Sequence, residues 1–163
     1  MPTVKFIVAH DTGNPGSTAW ANVRYYENSR DMASASAHIF VDDKDIVECV
    51  PALTGPPERA WHVIYDTPVD NTMFGDDAND VAIGVEWCYG GRINMDASYK
   101  RYVYVLAMLC DRFNLDPQKH ITGHYVLDPK RKVDPVNSLK MIGKTLDDLK
   151  NDVAVELKRC RKM

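Results

Sequence analysis

Val81-Ala-Ile-Gly-Val-Glu-Trp-Cys88 is an apolar run interrupted by one carboxylate. Its continuity, without polar alternation, predicts a strand buried on both faces, as in a sheet covered by helices. Glu86 is the anomaly. A carboxylate inside such a strand is costly unless it is paired, linked to a metal or open to a cleft. Tyr89-Gly-Gly-Arg92 ends the strand.

Upstream, Lys5-Phe-Ile-Val-Ala9 reads as another short strand, and the turn residues from His10 to Gly16 break it. His10 therefore stands where a strand meets a loop, the position at which α/β folds build their sites. Ser17 is a fitting N-cap for a helix to about Asn28, with Ala19, Trp20, Val23 and Tyr26 on its apolar side. Residues 29–36 are small and polar, a loop. Ala37–Val41 and Asp45–Val50 flank Asp42-Asp-Lys44 and predict a tight antiparallel hairpin. Ala60–Ile64 reads as a short strand or extended segment. Tyr65–Asp80 is acidic and lacks a hydrophobic period, so it is expected to be a long surface loop that either flanks a cleft or is inert.

Downstream, Tyr102, Val105, Leu106, Leu109 and Phe113 recur at spacings of three and four. They predict a helix over Met95–Asn114, capped by Asp96 or Ser98. Lys119–Gly123 is a further short strand. A C-terminal helix is expected to begin at Asn137 or Ser138 and run through Leu157. Its basic end suits a helix C-terminus and equally the start of a linker. Strands and helices intermix along the chain, as in an α/β fold.

The 163 residues suit one domain, and 45% hydrophobic with 26% charged residues is ordinary for a globular protein. A net charge of −3 argues against a general nucleic-acid binder. Cys49, Cys88 and Cys110 lie in apolar segments and are expected to be buried thiols, with Cys160 exposed. Their spacing fits no paired Cys metal motif. Met1–His10 has too short an apolar run for a secretory leader, and no segment approaches a membrane span. Synthesis in the cytoplasm, without membrane insertion, is the expectation.

The chemistry concentrates in His124-Tyr-Val-Leu-Asp-Pro-Lys-Arg-Lys-Val-Asp134, followed by Pro135. Both Asp-Pro pairs are turn signals, so this is a loop able to fold an imidazole and a carboxylate onto one point. By itself it reads first as a polar surface loop. With His10 it offers two imidazoles and a carboxylate, enough ligands for a catalytic zinc with one position left open. Glu86 adds a carboxylate usable as a general base, and Lys132 a fixed cation for a developing oxyanion.

The ordered pieces Ile7–Thr12, Ser36–Asp43, Ala60-Trp-His62, Val81–Glu86, Ile121-Thr-Gly-His124 and Lys132-Val-Asp-Pro135 resemble the zinc-dependent N-acetylmuramoyl-L-alanine amidase family of type 2. That family includes phage endolysins and is related to peptidoglycan recognition proteins. The resemblance covers about residues 4–136. It implies a mixed central sheet flanked by helices, with a zinc groove at the strand ends, and residues 1–163 as a single catalytic domain. It implies Zn2+ held by His10, His124 and Asp134, catalysis by Glu86 and Lys132, and a groove lined by His38, Trp61 and His62. The implied substrate is bacterial peptidoglycan, cut between N-acetylmuramic acid and L-alanine by a monomer. An endolysin without a leader would reach the wall through a holin. A cytoplasmic muropeptide-recycling amidase and a non-catalytic peptidoglycan-binding module are the alternatives. Ala37 stands where several relatives carry an aromatic residue, so a phenol at that position is lacking here.

Overall fold

The computed structural model of the chain describes residues 1, 3–32 and 35–162. Five strands form one sheet in the order β3-β2-β4-β1-β5. They are β1 (Phe6–Asp11), β2 (Ile39–Val41), β3 (Ile46–Glu48), β4 (Ala82–Trp87) and β5 (Ile121–Gly123). β4 is parallel to both β1 and β2, β1 is parallel to β5, and β2 and β3 form the antiparallel hairpin. The central position of β4 explains its unbroken apolar run, because helices or loops cover both of its faces.

Alternation along the strands gives the two faces different work. Ile7, Ala9, Ile83, Val85 and Trp87 face one way, into the main core. There they meet α4 (Met95–Arg112) and α8 (Leu146–Cys160) through Tyr102, Leu106, Leu109, Leu149 and Val153. The opposite face carries two smaller clusters. At the start of the parallel strands, Phe6, Val8 and Ala82 pack with Val63, Val81 and Leu127. At their far end, Phe40, Val47 and Cys88 pack under Ala19 and Val23 of α1 (Ala19–Ser29). Between the two clusters lie His10 and Glu86, which are register partners.

Several elements differ from the sequence expectation. β1 continues through Asp11, so His10 lies inside the strand rather than at its break. Segment 60–64 joins no strand; the buried Asn79 side chain accepts from His62 N and Val63 N and donates to Val63 O, replacing a ladder. The 65–80 stretch is not one loop. It holds α2 (Pro68–Phe74) and α3 (Ala78–Val81), joined by the buried Asp70, which accepts from the Thr67 hydroxyl at 2.6 Å and Ala78 N at 2.9 Å. Phe74 stacks on Phe6 with ring centroids 3.7 Å apart, which makes this segment part of the fold.

The cap of α4 is Asn94, not Asp96 or Ser98. Ser98 is buried instead, accepting from Trp87 Nε1 and donating to Cys88 O. Short helices α5 (Pro117–His120) and α6 (His124–Leu127) bracket β5. The expected single C-terminal helix is two: α7 (Val136–Met141) and α8. Gly143, at φ +67°, turns the chain between them, and a Thr145–Asp148 capping box starts α8. Cys88 and Cys110 are buried as expected, whereas Cys49 is exposed at the hairpin edge. Residues 33 and 34 of the expected 29–36 loop lie outside the described residues. Among the described residues no helix is long and apolar enough to cross a membrane.

Candidate metal centre and active site

β1 and β5 are paired at Ala9 and Gly123, so the residue after each, His10 and His124, arrives side by side. Their rings lie 4.6 Å apart, nearly perpendicular. The loop beyond His124 closes on itself. Lys132 N donates to Asp128 O at 2.9 Å, and Tyr125 N donates to Asp134 O at 3.1 Å, returning Asp134 to the start of α6. Asp134 Oδ2 then lies 2.9 Å from His10 Nδ1 and 3.1 Å from His124 Nδ1. One ligand atom from each of the three residues falls within 4.8 Å of the others.

Glu86 stands beside this trio, opposite His10 across the β1–β4 register. Its Oε2 is buried without a hydrogen-bond partner among the described residues. Burial, reinforced by the negative charges of Asp134 and Asp11, holds its carboxyl well above the usual range, and Lys132 pulls it partly back. Burial draws His10 down to about 4, against the upward pull of Asp134. Asp134 moves the other way: burial works to raise it, but the two imidazoles against it hold it well below the usual carboxylate range. Half-buried Lys132 brings its cation to bear on both Glu86 and His10.

Whether the trio fits a metal can be asked of its protons. His62 Nε2 lies 3.3 Å from Ala82 O, His62 Nδ1 lies 3.0 Å from His10 Nε2, and His10 Nδ1 lies 2.9 Å from Asp134 Oδ2. Each of these three gaps joins two lone-pair atoms and needs one positive centre. Two neutral imidazoles carry one N–H each and fill two gaps. The third requires a further cation, and the gap at Asp134 is the one that His124 Nδ1 also faces. Ligand atoms about 2.0–2.1 Å from a tetrahedral zinc are roughly 3.3 Å apart, close to the spacings here. The residues fit.

Two groove assignments are corrected. His38 is fully buried, with Nε2 on Glu58 O at 2.9 Å and Nδ1 accepting from Gly84 N at 3.0 Å. Both of its polar atoms are satisfied by backbone, so it lines no groove. His62 is also buried, with Nδ1 3.0 Å from His10 Nε2 and Nε2 3.3 Å from Ala82 O. Trp61 does face solvent, 43% exposed, beside Tyr65 and under the Arg59 guanidinium. It borders a cleft of about 860 Å³ shared with Val23, Tyr26 and Val50; the lining of that cleft includes none of His10, Glu86, His124, Lys132 and Asp134.

Three contributors were not identified from the sequence. Asp11 Oδ2 accepts from Ser138 N, tying α7 to β1. The Tyr102 hydroxyl lies 3.1 Å from His10 O and 3.3 Å from Val85 O, so the core helix grips both site strands. Tyr26 packs on Phe40, the register neighbour of Glu86. Only Asp11, directly after His10 at the strand end, carried a readable signal; Tyr102 and Tyr26 sat within helical apolar stripes.

The sequence model described as N-acetylmuramoyl-L-alanine amidase matches residues 1–137. N-acetylmuramoyl-L-alanine amidase BlyA of Bacillus subtilis (strain 168) is 33% identical over 94% of this chain. The match spans 42% of that relative's length. The catalytic domain of XlyA shares the fold at a TM-score of 0.71 and 24% identity, with 93% of this chain and 86% of that one covered. Staphylococcus aureus hydrolase AmiA, solved with its ligand, superposes at 0.77 with 22% identity over 95% of this chain and 73% of its own.

Proposed function

The chain belongs to the N-acetylmuramoyl-L-alanine amidase family, and from that premise we propose that residues 1–163 act as the catalytic unit of a zinc-dependent peptidoglycan amidase of the phage-endolysin kind. The reaction is hydrolysis of the amide between the lactyl group of N-acetylmuramic acid and the L-alanine of the stem peptide. The observation that carries the reading is the convergence of His10, His124 and Asp134 beside the unpartnered carboxylate of Glu86. All four lie within the matched residues 1–137.

His10 and His124 through Nδ1, and Asp134 through Oδ2, are the atoms that would hold the zinc. When bound, it supplies Lewis acidity, polarising a carbonyl and making water acidic near neutral pH. Glu86 takes the proton of the attacking water at its free Oε2. The same oxygen returns the proton to the leaving amine as the C–N bond breaks. Lys132 presents a positive charge to the oxyanion that develops on the carbonyl oxygen. Trp61 is an exposed aromatic that offers a flat apolar surface to a sugar or peptide face.

The test is incubation of the purified chain with peptidoglycan, reading new N-terminal alanine and the metal content of the same sample. About one zinc per chain and chelator-sensitive release are expected. Glu86→Gln should keep the zinc and lose roughly 100-fold or more of the turnover. Wall binding without zinc and without cleavage would refute the enzyme reading.

A further inference from the structure

The groove assignment fails for His62, and its position raises the question of what it does beside His10. Its ring lies flat against β4 at Gly84. A Cβ built there would fall 2.6 Å from His62 Cγ and 2.7 Å from Nδ1. The strand thus omits a side chain where the imidazole must lie. The ring also meets His38 edge-on, with centroids 5.5 Å apart, and His38 Nδ1 in turn accepts from Gly84 N. The backbone is fixed too, by Asn79 Oδ1 accepting from His62 N at 2.9 Å. A ring seated this closely cannot turn without displacing its neighbours.

Its two nitrogens are committed in order. Ala82 O accepts only, so Nε2, 3.3 Å away, carries the hydrogen. Nδ1 then accepts, and its partner at 3.0 Å is His10 Nε2. His10 Nε2 must donate, which leaves the lone pair of His10 on Nδ1, aimed at Asp134 and His124. We infer that His62 is a positioning residue. It sets the tautomer and ring angle of His10 by relaying the Ala82 carbonyl through its own imidazole, so that His10 presents Nδ1 to a zinc ion. A metal-bound histidine ordinarily gives its second N–H to a carboxylate, carbonyl or water. Here a second histidine fills that place and keeps it dry.

The inference rests on the metal reading of the site, so the experiment separates the two. Zinc affinity is measured by competition with a chromophoric chelator for the unmutated chain, His62→Phe and His62→Asn. Phe keeps the ring volume over Gly84 and removes the acceptor. Asn loses volume and places an oxygen near the position of Nδ1. Loss of such a partner weakens metal binding about 10- to 100-fold. The expected order is unmutated, then Asn, then Phe. A purely structural role predicts the opposite order for the two variants, and finding Phe equal to the unmutated chain overturns the inference. No zinc binding by the unmutated chain overturns the metal reading and this inference together. In the zinc-loaded protein, nitrogen NMR should show His62 protonated at Nε2; protonation at Nδ1 would refute the relay directly.

Discussion

Gly84→Ala tests the architecture at one methyl group. The glycine has no need of unusual backbone freedom; what forbids a side chain is the His62 ring. The added Cβ would meet three ring atoms, at 2.6, 2.7 and 3.0 Å. The nearest is Cγ, at the root of the ring, so rotation cannot clear it and the whole side chain must retreat. Retreat is opposed by the tether of Asn79 on the His62 backbone and would disturb the edge contact with His38. Overpacking of this kind costs about 1–3 kcal/mol, which in a chain of this size lowers the melting temperature by roughly 2–12 °C. The retreat would also lengthen the His62–His10 contact, now 3.0 Å. Zinc affinity should therefore fall together with stability. The assays are thermal unfolding of the metal-free protein by circular dichroism and a zinc competition titration. An alanine variant melting within a degree of the parent, with unchanged zinc affinity, would refute the steric reading of the Gly84–His62 contact.

Lys132→Met should keep its zinc and lose about 100- to 1,000-fold in turnover, the loss typical of one oxyanion-stabilising group; unchanged kinetics would remove Lys132 from the mechanism. Zinc at 100 times its dissociation constant stabilises by about 2.7 kcal/mol, so a chelator should lower the parent's melting temperature, while His124→Ala should melt at one temperature with or without chelator. Glu48 supplies an acid-sensitive contact. Burial works to raise its carboxyl, but the Thr54 hydroxyl and the amides of Leu53, Ala52 and Thr54 outweigh burial and lower it. Because the folded carboxyl titrates below the unfolded one, its contribution is present above the ordinary value of 4.5 and fades as pH falls through the depressed one. The protection of amides 52–54, taken relative to the intrinsic exchange rate at each pH, should fall in acid for the parent, and Glu48→Gln should remove most of that pH dependence.

The sequence made the scaffold legible where burial imposed a period. The β4 run, the α4 stripe and the β2–β3 hairpin each followed from apolar spacing and turn residues. The candidate site was legible for a complementary reason: Glu86 violated the pattern of its own strand, and His10 and Asp134 stood next to turn signals. The failures share a cause too. Segment 60–64, read as a strand or an extended segment, pairs in no strand and is held by Asn79, and α2 and α3 are joined by buried Asp70. Side-chain bonds to backbone leave no periodic trace. His38 and His62 were assigned to the groove because the family resemblance implied it. Their nitrogens are instead satisfied from within by Glu58 O, Gly84 N, Ala82 O and His10.

The site inherits its geometry from the core behind it. Along β1 the residues Ile7 and Ala9 enter the main core while Val8 and His10 face the other way. A slip of one residue would drive His10 into the α4–α8 interface and expel Ile7. The apolar residues that stabilise the fold therefore also specify that His10 and Glu86 meet across the β1–β4 register. Tyr102 extends this control, since a single buried hydroxyl from α4 reaches the carbonyls of both His10 and Val85. The opposite face is left divided between two small clusters. That gap leaves room for a polar site without opening the main core. Substitutions of His10 or Glu86 should accordingly leave the fold standing. Shortening Ile83 or Val85, whose side chains enter the main core, should disturb zinc affinity by loosening the strands that carry it.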